Sequence, residues 1–527
     1  MAIATVVAVP ILAVLSSLLA PSADVWQHLW RTQLVGLVVN TVGLLLGVGA
    51  GTLVVGTTMA WLVVNHRFPG RAVFEWALML PLAMPAYVVG FAFLGLFEYS
   101  GPVQRALRDW LGPEARLPEL RSYGGIVLMM TLVFYPYVYL LARAAFRDQG
   151  AAALETARSL GHSRLSAFVE VTLPMARPSL AAGVSLAMME ALADFGTVST
   201  FGYRTLTEAI YRVWYGMFDR PAATQLASVL LLFAFTLLAL ERASRGRARF
   251  TQSHRRGPAP AAVALTGVRA AAATATCALV LGAAFAVPVG QLAVWAVGAV
   301  RAGRVSGAFP ALLGHTLWLA GLASILAALA AVVLAYAGRL RPTRGVRLAG
   351  QFASTGYALP GAVIAVGVLL PLAWLDHAVA PLVDRLAGRP VGLLLTGSAA
   401  GLVFAYVVRF LAVSAQTVDA ALGRIPRSFD DAARSLGAST GRALGRVHLP
   451  LMRGGLLTAV ILVFVETMKE MPATLLLRPF GLDTLAVEVW ERTSESMWQE
   501  AAVPALAIVA AGLAPVLIAM RLASRPR

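Results

Sequence analysis

The chain has 527 residues, 59% hydrophobic and 13% charged, with mean hydropathy +0.75. A soluble domain carries roughly 25% charged residues, so a soluble globular protein is excluded. The formal charge of +17, from 43 basic and 26 acidic residues, would point to a nucleic-acid partner in a soluble chain, but not in one this apolar.

Apolar stretches bounded by Arg, Pro and Gly predict membrane spans over 3–20, 36–64, 72–97, 123–142, 178–200, 223–240, 270–298, 314–337, 350–374, 393–415, 454–475 and 501–520. The first is read as a retained span because no basic residue precedes it, although Ala20-Pro21-Ser22-Ala23 resembles a small-residue cleavage site. The order divides into a half over 1–241, a basic linker over 242–269 and a half over 270–527. Alternate loops at 66–71, 143–177, 242–256, 339–347 and 416–453, with the tail from Arg521, hold 26 Arg against 6 acids; the opposite loops hold 14 of each. Positively charged loops stay in the cytoplasm, which places the first set there and accounts for most of the net charge.

The halves repeat. Asn40-Thr41 aligns with His315-Thr316 and Pro85 with Pro360 at an offset of 275, Val133-Phe134 with Val403-Phe404 at 270, and Gly161 with Gly437 at 276. Phe201-Gly202 and Thr205-Leu206 align with Phe480-Gly481 and Thr484-Leu485 at 279. Six spans per repeat is even, so the halves insert in the same orientation. The expected fold is an all-α polytopic membrane protein of about twelve helices in two parallel six-helix repeats.

The longest cytoplasmic loop of the first half reads Glu155-Thr156-Ala157-Arg158-Ser159-Leu160-Gly161, nine residues, then Val171-Thr172-Leu173-Pro174. Its counterpart reads Asp431-Ala432-Ala433-Arg434-Ser435-Leu436-Gly437, nine residues, then Val447-His448-Leu449-Pro450. Each predicts a short helix stopped by a left-handed glycine, a second short helix, and a proline opening the next span. Ser428 with Asp431 suggests a capping-box-like start in the second copy.

These paired loops resemble the EAA loop, Glu-Ala-Ala-x3-Gly-x9-Ile-x-Leu-Pro, of permeases of ATP-binding-cassette importers that work with an extracytoplasmic solute-binding protein. The resemblance implies that an ATPase homodimer on the cytoplasmic side clasps both loops, through Glu155, Ala157, Gly161 and Pro174 in one and Asp431, Ala432, Ala433, Gly437 and Pro450 in the other. Bound ATP would switch the membrane cavity between inward and outward access. ATP and Mg then belong to the partner, and this chain is no enzyme and binds no cofactor. That agrees with its only lysine, Lys469, which follows Met468 where a nucleotide-binding P-loop needs glycine. The single cysteine, Cys277, and seven scattered histidines offer no disulfide and no metalloenzyme spacing. The remaining expected contact is membrane lipid, with no nucleic acid.

The spans after each loop carry clustered charges: Glu190 and Asp194 in the first half, and Glu466, Lys469 and Glu470 in the second. At an offset of 276, Glu190 pairs with Glu466 and Asp194 with Glu470. Ionisable residues in spans face a cavity or a partner, which makes these five the candidates for a translocation pathway. Lys469 lies within a helical turn of Glu466 and Glu470 and is an ion-pair candidate. Met188, Met189, Met468 and Met471 are read as packing. The strings Met189-Glu190-Ala191-Leu192-Ala193-Asp194-Phe195-Gly196-Thr197, Met468-Lys469-Glu470-Met471-Pro472-Ala473-Thr474-Leu475, Leu80-Pro81-Leu82-Ala83-Met84-Pro85-Ala86-Tyr87 and Tyr135-Pro136-Tyr137-Val138-Tyr139 are similar to those of fused ferric-iron importer permeases. This implies Fe(III) as cargo, with Glu190, Asp194, Glu466 and Glu470 as candidate transient oxygen contacts, since hard cations favour carboxylates. Fused thiamine permeases share the architecture, and polyamine, sulfate and phosphonate permeases share the EAA loops. A secondary transporter has a similar repeat but no use for two EAA loops.

Overall fold

The computed structural model describes residues 2–19, 23–148, 157, 159–245, 262–353, 355–389 and 392–524. Among them twelve helices take the places of the twelve predicted spans: α1 (Ala2–Ser16), α2 (Leu34–Asn65), α3 (Ala86–Phe97), α4 (Tyr123–Asp148), α5 (Leu173–Ala193), α6 (Arg220–Arg245), α7 (Gly267–Arg301), α8 (Phe309–Leu340), α9 (Gly361–Ala387), α10 (Ala399–Gly423), α11 (Leu449–Lys469) and α12 (Trp498–Ser524). Ten of these places hold helical stretches long and apolar enough to cross a membrane, that of α3 only when it is taken on to Leu111, and α12 contributes the shorter apolar stretch Trp498–Leu513. α5 falls outside that set; its 21 residues include Arg177, Ser179, Ser185 and Glu190. The span expected over 72–97 begins instead with a separate helix, Arg71–Ala77, and the turn Leu80–Ala83 before α3.

The chain packs as two compact units. One comprises Met1–Gln27, Ile210–Leu231 and Val305–Glu491; the other comprises His28–Ala209, Leu232–Arg304 and Arg492–Arg527. In the second, α2, α4 and α5 pack on one another; in the first, α8, α10 and α11 do the same. Small residues let backbones approach where lipid supplies no hydrophobic drive. A Cβ on Gly56 of α2 would lie 2.9 Å from the Tyr135 carbonyl and the Tyr139 nitrogen of α4, and one on Gly183 of α5 would lie 2.8 Å from the Val138 Cα. α4 is therefore gripped at Val138 from both sides. Within its own unit α1 packs on α9, and within the other α7 packs on α12.

The aligned repeat positions meet in space in equivalent ways. The Thr41 hydroxyl accepts from the Leu206 backbone N–H at 3.1 Å, and the Thr316 hydroxyl from the Leu485 N–H at 2.9 Å. Each threonine also donates to its own helix, to Leu37 or Leu312, at 2.7 Å. Gly202 and Gly481, in the preceding turns, both have positive φ, 66° and 78°.

Residues 246–261 of the linker lie outside the described residues. Just beyond them Val263–Ala264 pairs in parallel with His66–Arg67, a two-stranded ribbon that the span pattern did not predict.

Candidate coupling and translocation sites

The two loop motifs close their short helices in the same way. Glu155 lies outside the described residues, whereas Ala157 is buried. The His162 N–H donates to the Ala157 carbonyl at 3.1 Å across Gly161, whose φ is +91°. In the second copy the Ala438 N–H donates to the buried Ala433 carbonyl at 2.9 Å across Gly437, whose φ is +75°. Both are the six-to-one bond of a Schellman stop, which places the glycine in the left-handed region. A Cβ at either glycine would meet open space, so backbone conformation alone selects glycine. The closure leaves Leu160 75% exposed and Leu436 86% exposed. Sequence reasoning passed over these two leucines, although their recurrence in Arg-Ser-Leu-Gly was a signal.

Pro174 and Pro450 stand in the first turn of α5 and α11, as the spacing predicts. Each follows a five-residue π-helical turn, Phe168–Thr172 or Leu444–His448, that joins the second short helix to α5 or α11. Proline lacks an N–H and its ring crowds the carbonyl four residues back; the wider turn accommodates both. The capping-box expectation fails. The helix Ser428–Ser435 has Arg427 at its N-cap and no side-chain cap bond. Asp431 pairs with Arg434 on the exposed face, where Ala432 also lies.

The loops are anchored by different chemistry. In the first half Trp61 packs on Phe168 with centroids 4.0 Å apart, and Phe146 lies edge-on to both rings. In the second half Asp430 takes Nε of Arg339 at 3.0 Å and Nη2 at 2.5 Å, while Arg339 also donates to the Leu422, Ile425 and Pro426 carbonyls. Nε2 of buried His448 is 3.1 Å from Asp430 Oδ1, at ion-pair distance but not aligned as a hydrogen bond. The Arg339 guanidinium beside Asp430 holds its carboxyl below the usual carboxylate range.

The membrane acids sit where α5 and α11 break. Asp194 (φ −72°, ψ 121°) ends α5 and Glu470 (φ −72°, ψ 108°) ends α11. Short helices, Gly196–Thr200 and Pro472–Leu477, restart two residues later. Asp194 Oδ1 accepts from the Thr197 N–H at 2.8 Å and the Val198 N–H at 3.3 Å, and Oδ2 from the Thr197 hydroxyl at 3.0 Å. Glu470 Oε1 accepts from the Ala473 N–H at 2.9 Å and from Nη1 of Arg409 at 3.0 Å. Both carboxylates thus cap the restarted helix, satisfying N–H groups a helix start leaves open.

Glu466 pairs with Lys469 at 2.8 Å, partly exposed, and Glu190 is half-buried one turn before Asp194. Met189, Met468 and Met471 are buried. Among the described residues no three His, Cys, Asp or Glu side chains are placed to hold a metal ion together. The spacing pattern missed Arg409 and Gly361; a Cβ on Gly361 would collide with Arg409 Nη1 and approach Glu470 Oε1.

Residues 52–249 and 327–525 each match the family described as the binding-protein-dependent transport system inner membrane component. The chain is 26% identical to the Fe(3+)-transport system permease protein FbpB 2 of Haemophilus influenzae, over 93% of this chain and 91% of that protein. It is 32% identical to the sulfate transport system permease protein CysT of Escherichia coli, over 35% of this chain and 67% of that one. It is also 30% identical to the molybdenum transport system permease protein ModB of Escherichia coli, over 42% and 96% respectively. Two matched segments, a helix set repeated in order and ten long apolar helices make this a multi-pass inner membrane protein. The chain belongs to the binding-protein-dependent transport system inner membrane component family and carries that component twice, as a fused permease.

Proposed function

We propose that the chain is the membrane permease of an ATP-driven importer of Fe(III), receiving the ion from an extracytoplasmic binding protein and working with a separate ATPase pair. The observation that carries the iron reading is the similarity to an Fe(3+)-transport permease through both halves, over 93% of the chain. The sulfate and molybdenum relatives align with 35% and 42% of it. Their higher identity makes an oxyanion the second reading.

In the iron reading, the exposed Leu160 and Leu436 beside rigid Schellman stops are the contacts an ATPase dimer grips. Each stop leads through a π-helical turn straight into α5 or α11, so movement of the loop is delivered to the helix that ends at Asp194 or Glu470. ATP-driven closure of the partner then shifts the population between inward- and outward-open states. Glu190 and Glu466 are the acids of this region not used as helix caps, and they serve as pathway charges.

The test is uptake by vesicles containing the permease, its ATPase and its binding protein, comparing radiolabelled Fe(III), sulfate and molybdate. ATP-dependent iron uptake alone is expected. Oxyanion uptake would replace the iron reading, and uptake without the ATPase would replace the importer mechanism with a gradient-driven one.

A further inference from the structure

The helix Arg344–Ala353 follows α8 after three residues and plays no part in the coupling or translocation sites. Its inner side, with Ala353 fully buried, packs on α1, α8 and α10 of the same unit. At 100° per residue, the exposed residues form one continuous arc. Arg347, Gln351 and Arg344 occupy one flank; Leu348, 64% exposed, and Phe352, 37% exposed, occupy the adjoining flank. Arg341, in the preceding turn, is exposed too, and no acid lies between Arg339 and Ala353.

The neighbouring surface indicates what this arc meets. Trp318, Leu322, Ile325, Leu329 and Val333 form an exposed apolar stripe along α8, and Leu340 closes its last turn. Such a stripe on a membrane helix faces acyl chains. The following helix therefore begins where the hydrocarbon ends, on the arginine-rich side that positive-inside sorting places in the cytoplasm. A basic flank beside an apolar flank is the arrangement of a helix lying in the interface plane. The corresponding first-half helix, Arg71–Ala77, lacks it: Glu75 is present there and is bound by Arg143 and Arg147.

We propose that Arg344–Ala353 is a binding surface for anionic phospholipid of the cytoplasmic leaflet. Arg341, Arg344 and Arg347 hold headgroup phosphates, and Leu348 and Phe352 insert beneath them. The charge is complementary, and the exposed apolar residues of α8 run to Leu340, with three residues between it and Arg344.

Two measurements on the full chain test this. With Cys277→Ala removing the native thiol, a spin label at Leu348→Cys in phosphatidylglycerol-containing vesicles should sit about 5–10 Å into the headgroup and acyl boundary. A label at aqueous depth overturns the proposal, as does one shielded only after the ATPase is added, which would make the occupant a protein. In native mass spectrometry, phosphatidylglycerol should bind more tightly than phosphatidylcholine. Combined Arg341→Gln, Arg344→Gln and Arg347→Gln should weaken phosphatidylglycerol binding by about fivefold per arginine, and the three Lys replacements should retain it. Equal affinity in the Gln and wild-type proteins overturns the phosphate contacts, and the depth measurement stands independently if the Gln protein folds poorly.

Discussion

Arg409 donates from Nη1 to Oε1 of Glu470 at 3.0 Å, and the pair is nearly sealed from solvent, with side chains 11% and 4% exposed. Gly361 supplies the room, since a Cβ there would collide with the guanidinium. The first half has Ala86 and Asp194 at the aligned positions, and Asp194 accepts there from the Thr197 and Val198 N–H groups and the Thr197 hydroxyl.

Breaking this pair from one side should be costly. Arg409→Met leaves a buried carboxylate unpaired, and such losses run to about 3–5 kcal/mol. Thermal unfolding of the purified permease should show Arg409→Met well below wild type and Arg409→Met with Glu470→Met recovering much of the loss. A double variant no better than the single would show that the pair is not a unit.

Asp194 is a cap first. Asp194→Ala should cost about 1 kcal/mol, a typical cap loss, and Asp194→Asn much less, because the amide oxygen still accepts from the Thr197 and Val198 N–H groups. Unfolding midpoints separate the two. If Asn is as damaging as Ala, the carboxylate charge matters beyond the cap.

At the two loop stops the space around Gly161 and Gly437 is open but φ is positive. Gly161→Val and Gly437→Val should therefore act through backbone strain, about 1–2 kcal/mol each, and Asn should be better tolerated. Leu160→Ser and Leu436→Ser leave the stop intact while removing the exposed apolar contact. Co-purification of the ATPase should fall in both sets, and unchanged co-purification would detach these loops from docking.

Acid should loosen the second loop. Because Arg339 lowers the carboxyl of Asp430 in the folded state, the contribution is complete above the unfolded carboxyl value of about 4 and is lost as pH falls through the lower folded value. Arg434 and His448 also face this carboxylate. Hydrogen exchange over 428–448 should rise in that acid range in the wild type. With Asp430→Asn, exchange should already be raised at neutral pH and should lose this acid transition. The first loop, held by Trp61 and Phe168, should show no matching step.

On the proposed iron route, Glu190→Gln with Glu466→Gln should reduce iron uptake while ATPase co-purification and binding-protein docking persist. Retained uptake would remove both acids from the route.

Local chemistry was legible in the sequence because it repeats within a helical turn. Glycine at a helix stop, proline after the loop, Thr41 aligned with Thr316 and the alternation of arginine-rich loops all depend on near neighbours or on the bilayer, so spacing revealed the spans, the repeat and the two loop motifs. The helix breaks were visible only as clustered charge. That Asp194 and Glu470 accept from the N–H groups of a restarted helix was not visible there, because a carboxylate in a span reads the same with or without that bond.

The sequence by itself determined a twice-repeated, multi-pass membrane protein with two matching loop motifs, since hydropathy, charge sidedness and periodicity need no knowledge of packing. Only the tertiary structure decided that Arg409 and Gly361, 61 and 109 residues before Glu470, complete its site. The same holds for the aromatic anchor of one loop, the ionic anchor of the other, and the packing of α1 on α9. These contacts depend on which helix faces meet, and that is set by interlocking of small and large residues across the bundle rather than by any local pattern.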